Sequence, residues 1–413
     1  MRHHQKGAAS IIFMMVLPLI IGSLAFSVHI TQELQAHAKL TEATEVASLA
    51  LISTSTGKNN PDEELAKKIV NEYMPFNLDG TQIKVGSEVC DYDTGCVQRS
   101  GEPSPFSDFT VGATTKHKSW MPNKVTKSTF KVSSSSITRK YLPQPVDIYF
   151  VVDMSESMSY SFSSDRSRRK LDVVKSTIVK ILDELTIFNK FNKHKSRVAF
   201  IGYHHYNIQR KNGKQVLIDQ VVNDSVSDTI SDMFNENKPV LARNQDRGYK
   251  GFEDIPLTDD YDVFKRKLST FRVAYPALTE SWQGVIRAAQ VTNSQRKYNP
   301  EQAIIVLSDG QDGSRYPTTP GSSTPPQKNY LKTLVNNGLC ERIVNNLERK
   351  RNRYGEKVNV TFGVIGIDFL LDKNTNGFYD CVGEDKIFHA KDGADVYKYI
   401  LNLLNEETGR LKS

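Results

Sequence analysis

The chain has only four cysteines in 413 residues, and no two of them form a C-x-x-C pair. A zinc ribbon and a thioredoxin-like redox motif therefore find no support. There is no glycine-rich phosphate loop, and no G-x-S-x-G elbow frames a nucleophilic serine, so the chain is not expected to be an enzyme. Lys and Arg number 54 against 47 Asp and Glu, a net charge of +7, but they are scattered rather than gathered in a block. Nucleic acid is accordingly not an expected partner. Nothing points to wholesale disorder, because an apolar content of 38% is ordinary for a folded chain and the length suits two or three domains.

Charge is also missing between Ala8 and Val28, AASIIFMMVLPLIIGSLAFSV. At 1.5 Å rise, about 21 residues span the roughly 30 Å hydrocarbon core, so one bilayer crossing is expected. Arg2 and Lys6 precede the run and Glu33 is the first charged residue after it. That bias places the N-terminus in the cytoplasm and everything beyond it outside. A cleaved secretory signal shares the basic start and apolar core. This run, however, exceeds the usual h-region of roughly 7 to 15 residues, and no small-x-small site ends it. A retained anchor is expected. In an oxidising compartment the pairs Cys90 with Cys96 and Cys340 with Cys381 are expected, although four cysteines allow three pairings.

Residues 29 to 54 carry Leu34, Ala38, Val46, Leu49 and Ala50 among polar residues without Pro or Gly, which predicts a continuous helix with an apolar stripe. A second helix is expected over 62–73. From about 78 to 142 the composition turns to Thr, Ser, Val, Gly and Pro with strand-like alternation, and a small β-rich domain is expected over 57–142. The serines at 133–136 fit either a linker or a strand. From 143 to 413, apolar runs at 147–153, 197–205, 303–310 and 358–367 alternate with helical stretches at 169–188, 280–292, 329–353 and 394–405. Such a pattern predicts a doubly wound α/β domain with a mostly parallel sheet, interrupted by a polar insertion at about 206–257 with a hairpin at 215–222.

At the end of the first run stands DMSES, where Asp153, Ser155 and Ser157 at alternate positions share one side. Open α/β sheets bind ligands at the carboxyl ends of their strands. Asp309 ends a later strand in the same way, and Thr279 lies in the loop YPALTES before a helix. These five side chains offer only hard oxygen donors, which suits Mg²⁺, with Mn²⁺ or Ca²⁺ as related choices, rather than zinc. With few carboxylates the ion would stay under-neutralised and could take an acidic group from a partner. The bland reading has Asp153 and Asp309 capping helices and the serines satisfying turns.

DIYFVVDMSESM, ALTES and IIVLSDG resemble the three metal-site loops of von Willebrand A domains, in the family's order, over about 146–405. The resemblance implies direct contact of Ser155, Ser157 and Thr279 with an ion, and contact of Asp153 and Asp309 directly or through water. The loop ALTES departs from many members, which have Gly where Leu278 stands. The anchor QKGAASIIFMMVLPLIIG, the helix after it, a β-rich spacer and this domain are together similar to the TadE/TadF/TadG-like proteins of Flp (tight adherence) pilus systems. So is the end of the chain, with Cys340, the run VNVTFGVIGI, Cys381 and KIFHAKDGADVYKYILNLL. The likeness implies a single-pass inner-membrane protein, exposed to the periplasm, whose partners are pilus or minor pilin-like proteins and a protein ligand bearing an acidic group. Prepilins carry Glu five residues beyond the Gly before cleavage, but Ile12 holds that place after Gly7, so no processing is expected. A membrane-tethered scaffold in envelope maturation or stress sensing would need the same parts.

Two weaker signals remain. DKNTNGFYD, with Asp372, Asn374, Asn376 and Asp380, resembles a calcium loop, although Gly383 takes the place of its twelfth-position Glu; a plain Asn/Gly turn is the other reading. His204 and His205 are neighbours that would point to opposite faces of a strand and are expected to be structural.

Overall fold

The structure, a computed structural model, describes residues 8–54, 61–91, 94–102, 105–122, 127–142, 144–189, 194–242, 250–275, 277–316 and 326–405. It forms two compact units, Met1–Leu142 and Pro143–Ser413.

In the first unit, α1 (Ala8–Thr54) is unbroken and contains Pro18. Its apolar part is long enough to cross a membrane, and its large side chains from Ile11 to Phe26 are exposed. α2 (Glu63–Tyr73) starts at Asp62, whose carboxylate accepts from Leu65 N at 2.9 Å. An antiparallel meander follows: β1 (Gln82–Cys90), the short α3 (Cys96–Ser100), β2 (Phe106–Lys118) and β3 (Thr129–Tyr141). The face of α1 that packs here is Leu40, Ala43, Ala47 and Leu51, against Phe109, Val111, Phe130 and Val132. The expected stripe differs, since Leu34 and Leu49 are exposed. Leu40, Ala43, Ala47 and Leu51 recur at helical spacing on one side, and Leu34 and Leu49 fall outside that face. The 133–136 serines belong to β3. Ser134 Oγ meets Thr41 Oγ1 at 3.0 Å, which fits a polar helix–sheet seam rather than a linker.

The second unit runs through β4 (Val146–Asp153), α4 (Lys170–Asn189), β5 (Arg197–Tyr203), β6 (Asn207–Lys211), β7 (Lys214–Asp219), α5 (Val226–Asp232), β8 (Val240–Leu241), β9 (Ile255–Thr258) and α6 (Tyr261–Thr270). It continues with α7 (Ser281–Asn293), β10 (Glu301–Ser308), α8 (Tyr330–Asn336), α9 (Leu339–Glu348), β11 (Asn359–Ile367), α10 (Phe378–Val382), β12 (Ile387–Ala390) and α11 (Gly393–Asn405). The strand order is β12-β11-β10-β4-β5-β6-β7-β8, with β9 beside β5. From β12 to β5 every pairing is parallel, and β6 to β9 add antiparallel edges. Along β4, Ile148, Phe150 and Val152 enter the core under α4, α6 and α11, while Tyr149 and Val151 enter the one under α5 and α7 to α10. Burial on both faces explains the near-continuous apolar runs. This is a doubly wound α/β fold, as the von Willebrand A resemblance implies.

Two local expectations change. The hairpin spans Asn207–Asp219 rather than 215–222, because Asn212 and Gly213 both take positive φ and make its turn. The stretch 329–353 is two helices, parted at Gly338 with φ +91°.

Candidate metal centre

From β4 the chain crosses through α4 to β5 on one side, and β10 returns to β4's other side after α7. The two crossovers cover opposite faces, so the carboxyl ends of β4 and β10 flank the topological switch point, where such sheets open a crevice. Asp153 is the last residue of β4, and Asp309 follows the last residue of β10.

All five expected side chains come together there. Thr279 Oγ1 lies 3.2 Å from Asp153 Oδ2 and 3.1 Å from Ser155 Oγ. Ser155 Oγ lies 3.0 Å from Ser157 Oγ, which donates to Asp309 Oδ1 at 2.7 Å. The serine loop is held by Ser155 N donating to Asp153 Oδ1 at 2.8 Å and Glu156 N donating to Ala277 O at 3.2 Å. Met154 N and O bond to Tyr203 O and Ala274 N, which fastens it to two neighbouring segments. Asp153, Ser155, Thr279 and Asp309 are buried, and Ser157 is half-buried.

Burial and then the charge of Asp309 push the Asp153 carboxyl up. Burial also raises Asp309, opposed by the Lys170 ammonium. Two carboxylates kept from water at one site carry negative charge that the protein only partly offsets. Their donor set suits a hard divalent cation. Neighbouring ligands of octahedral Mg²⁺ stand about 2.9 Å apart, given Mg–O distances of about 2.05 Å; the three oxygen pairs running from Asp153 Oδ2 to Ser157 Oγ measure 3.2, 3.1 and 3.0 Å. Among the described residues no three His, Cys, Asp or Glu side chains gather as a metal group, since the other donors here are hydroxyls.

Four further residues complete the site, and sequence reasoning missed them. Lys170, the first residue of α4, is buried and places Nζ 3.1 Å from Asp309 Oδ2 and 3.9 Å from Asp368 Oδ2. Asp368 follows β11 with φ +52° and accepts from Ser163 N and Oγ, both at 2.8 Å. Ser308 Oγ donates to Asp153 Oδ2 at 3.2 Å. Asp312 accepts from Ser281 N at 2.6 Å and Ser281 Oγ at 2.7 Å, which caps α7 and fixes the far side of the Thr279 loop. A charged residue on the inward side of an apolar helix pattern was the available signal for Lys170. Glu280 turns away from the cluster, accepting from Gln283 at 3.3 Å, and burial holds its carboxyl well above the usual range.

The weaker candidates take local roles. Asp372 Oδ1 accepts from Asn374 N and Asn376 Oδ1 from Phe378 N, both at 2.9 Å, while Asp380 lies 3.5 Å from Lys332. His204 Nδ1 accepts from Tyr206 N at 3.2 Å. His205 Nδ1 accepts from Leu278 N at 3.2 Å, a bond that steadies the Thr279 loop and suits a ring kept neutral by burial. The disulfides are Cys90–Cys96 and Cys340–Cys381; the second joins α9 to α10.

No family model matches the chain, and no curated protein matches it. Among solved structures it is similar to the PilB minor pilin from Streptococcus sanguinis, at 10% identity over 80% of this chain and 78% of that one, with a TM-score of 0.36. A von Willebrand factor type A protein from Catenulispora acidiphila matches at 12% identity over 81% and 52%, TM-score 0.34. Proximal thread matrix protein 1 from the mussel byssus matches at 12% identity over 65% and 46%, TM-score 0.32. The chain thus spans about half the length of the last two. At these identities the likeness carries no residue role across to this chain.

Proposed function

We propose that the chain is a single-pass inner-membrane component of a Flp/Tad-type pilus assembly or adhesion system, with the three-stranded meander of the first unit and the whole second unit in the periplasm. Its second unit would bind a protein ligand at a divalent metal site formed by Asp153, Ser155, Ser157, Thr279 and Asp309. The observation that carries this reading is the convergence at the switch point of two buried carboxylates and three hydroxyls, linked in one chain of contacts of 2.7 to 3.2 Å. Bound Mg²⁺ would supply Lewis acidity and a coordination position for a carboxylate of the partner. The protein's part is to hold the hydroxyls in place, through the Glu156 and Met154 backbone bonds, and to keep the carboxylates dry. Binding rather than catalysis is supported because the hydrogen-bond partners of Ser155 and Ser157 Oγ are each other, Thr279 and Asp309, with no His base among them.

Anchoring is supported by the exposed apolar surface of α1, and an oxidising location by the two disulfides. The 372–380 loop is read as a turn, with Asp372 and Asn376 accepting from backbone N–H groups two residues on and Asp380 beside Lys332. Co-purification of pilus subunits with the detergent-solubilised full chain tests the proposal. Capture should be lost with chelator and with Asp153→Ala. Capture indifferent to both would remove the metal site from the function.

A further inference from the structure

The first unit carries a second feature that the metal centre does not use. A pocket of about 670 Å³ lies between α1, the segment after α2 and the end of β2, with Gln32, Lys39, Met74, Phe76, Lys118 and Trp120 in its lining. Phe76 is 85% exposed and Trp120 68% exposed, a large apolar area to leave in water. Met121 and Leu78 beside them are also exposed.

The position of this rim along α1 is fixed by hydrogen bonds. Gln32 Nε2 donates to Lys118 O at 2.8 Å, and Gln32 Oε1 accepts from Trp120 N at 3.0 Å. His29 Nδ1 lies 3.2 Å from Ser119 Oγ. The end of β2 is therefore tied to α1 at residues 29 to 32. The apolar run ends at Val28, and α1 is continuous. At 1.5 Å per residue Gln32 stands about 6 Å beyond the run, and Lys39 about 16 Å beyond it. The headgroup layer on each side of a bilayer is about 5 to 8 Å deep. Trp120 is thus held at headgroup depth, while Lys39 stands about 8 to 11 Å above that layer.

We propose that this rim lies in the interface of the bilayer that α1 crosses, and that a phospholipid seats against the pocket. The glycerol and upper acyl region would meet Phe76, Met74 and the Trp120 ring, and the phosphate would face the Lys118 ammonium group. Aromatic rings with a polar edge favour that depth, and long lysines reach from apolar surface to charge. Solvent exposure of Phe76 and Trp120 is then a property of the chain out of its membrane. This inference rests on the reading of α1 as an anchor.

Tryptophan emission tests it, because the chain has only two tryptophans and the other, Trp282, is fully buried. The full chain is reconstituted in phosphatidylethanolamine–phosphatidylglycerol vesicles, with or without lipids brominated high on the acyl chain. Brominated vesicles should quench the Trp120 share of the emission, and Trp120→Phe should remove the quenching. Exposed as it is, that substitution leaves the core intact. A chain that resists alkaline carbonate extraction yet shows equal emission in both vesicles, with Trp120 quenched by aqueous iodide, would overturn the interfacial placement alone. A chain released by carbonate would overturn the anchor reading together with it.

Discussion

Lys170 Nζ lies 3.1 Å from Asp309 Oδ2, while the other oxygen of the same carboxylate accepts from Ser157 Oγ at 2.7 Å. One carboxylate is thereby shared between a fixed cation of the protein and a hydroxyl of the proposed metal site. Lys170 supplies a tethered positive charge in the place where a metal ion would bring its own.

Lys170→Met should therefore move two observables in opposite directions. Without metal it leaves a buried carboxylate unpaired, which lowers stability by about 3 kcal/mol or more. With metal it removes a repulsion. Two unit charges 4 Å apart interact by about 4 kcal/mol at an effective dielectric of about 20, and a third of that is roughly a tenfold gain in affinity. Thermal melts across a Mg²⁺ titration check both, and an unchanged Mg²⁺ midpoint would show that Lys170 does not sense the ion.

Asp153→Ala should abolish stabilisation by Mg²⁺ and leave the fold intact, because the residue ends a strand rather than filling a core. Free ion at about 100 Kd should add roughly 2.7 kcal/mol to the wild type and almost nothing to the variant. Thr279→Ala removes one neutral donor and should weaken the response less. Equal shifts in the wild type and Asp153→Ala, or no shift in either, would reduce these residues to capping turns.

The pH dependence has a definite sign. The Asp153 carboxyl is raised from 3.8 to about 7 by burial and then by Asp309, so the folded state holds its proton more tightly than the unfolded chain. Metal-free stability from this group is full below the unfolded value and falls as pH rises between 3.8 and about 7. Metal binding needs the ionised form, so the Mg²⁺-induced rise in Tm should grow from pH 5 to pH 8. Melts at both pH values with and without Mg²⁺ give the answer, and a shift that shrinks with pH would contradict the assignment.

Cys340 and Cys381 are 41 residues apart. In the chain-entropy model a cross-link of that length stabilises by about 4 kcal/mol. Cys340→Ser with Cys381→Ser should lower Tm by on the order of 10 °C. Peptide mapping of the native chain that finds both as free thiols would rule the bond out.

The sheet and the loops of the proposed metal site were legible in the sequence because burial on both faces leaves uninterrupted runs such as DIYFVVD and AIIVLSD, each ending in its carboxylate. The parts that were not legible depend on contacts between distant segments. The charge of Lys170 on the inward side of α4 finds its partners only when β10 and β11 bring Asp309 and Asp368 to its ammonium. The packing side of α1 differs from the expected stripe because Leu40, Ala43, Ala47 and Leu51 share the face against the sheet while Leu34 and Leu49 lie outside it, a choice that only the position of the sheet makes. The Asn212–Gly213 turn was present as a signal, and the hairpin could have been placed from it.

The unbroken course of α1 has a geometric outcome in a membrane. No joint separates the apolar run from the alanine seam that carries the three-stranded meander. Turning the helix about its axis in the bilayer would swing the meander through the same angle, and tilting it would tip the meander equally. Two such chains pressed together along their apolar helices would have the azimuth of their meanders dictated by that contact. Lateral neighbours in the lipid would thus orient the meander without touching it.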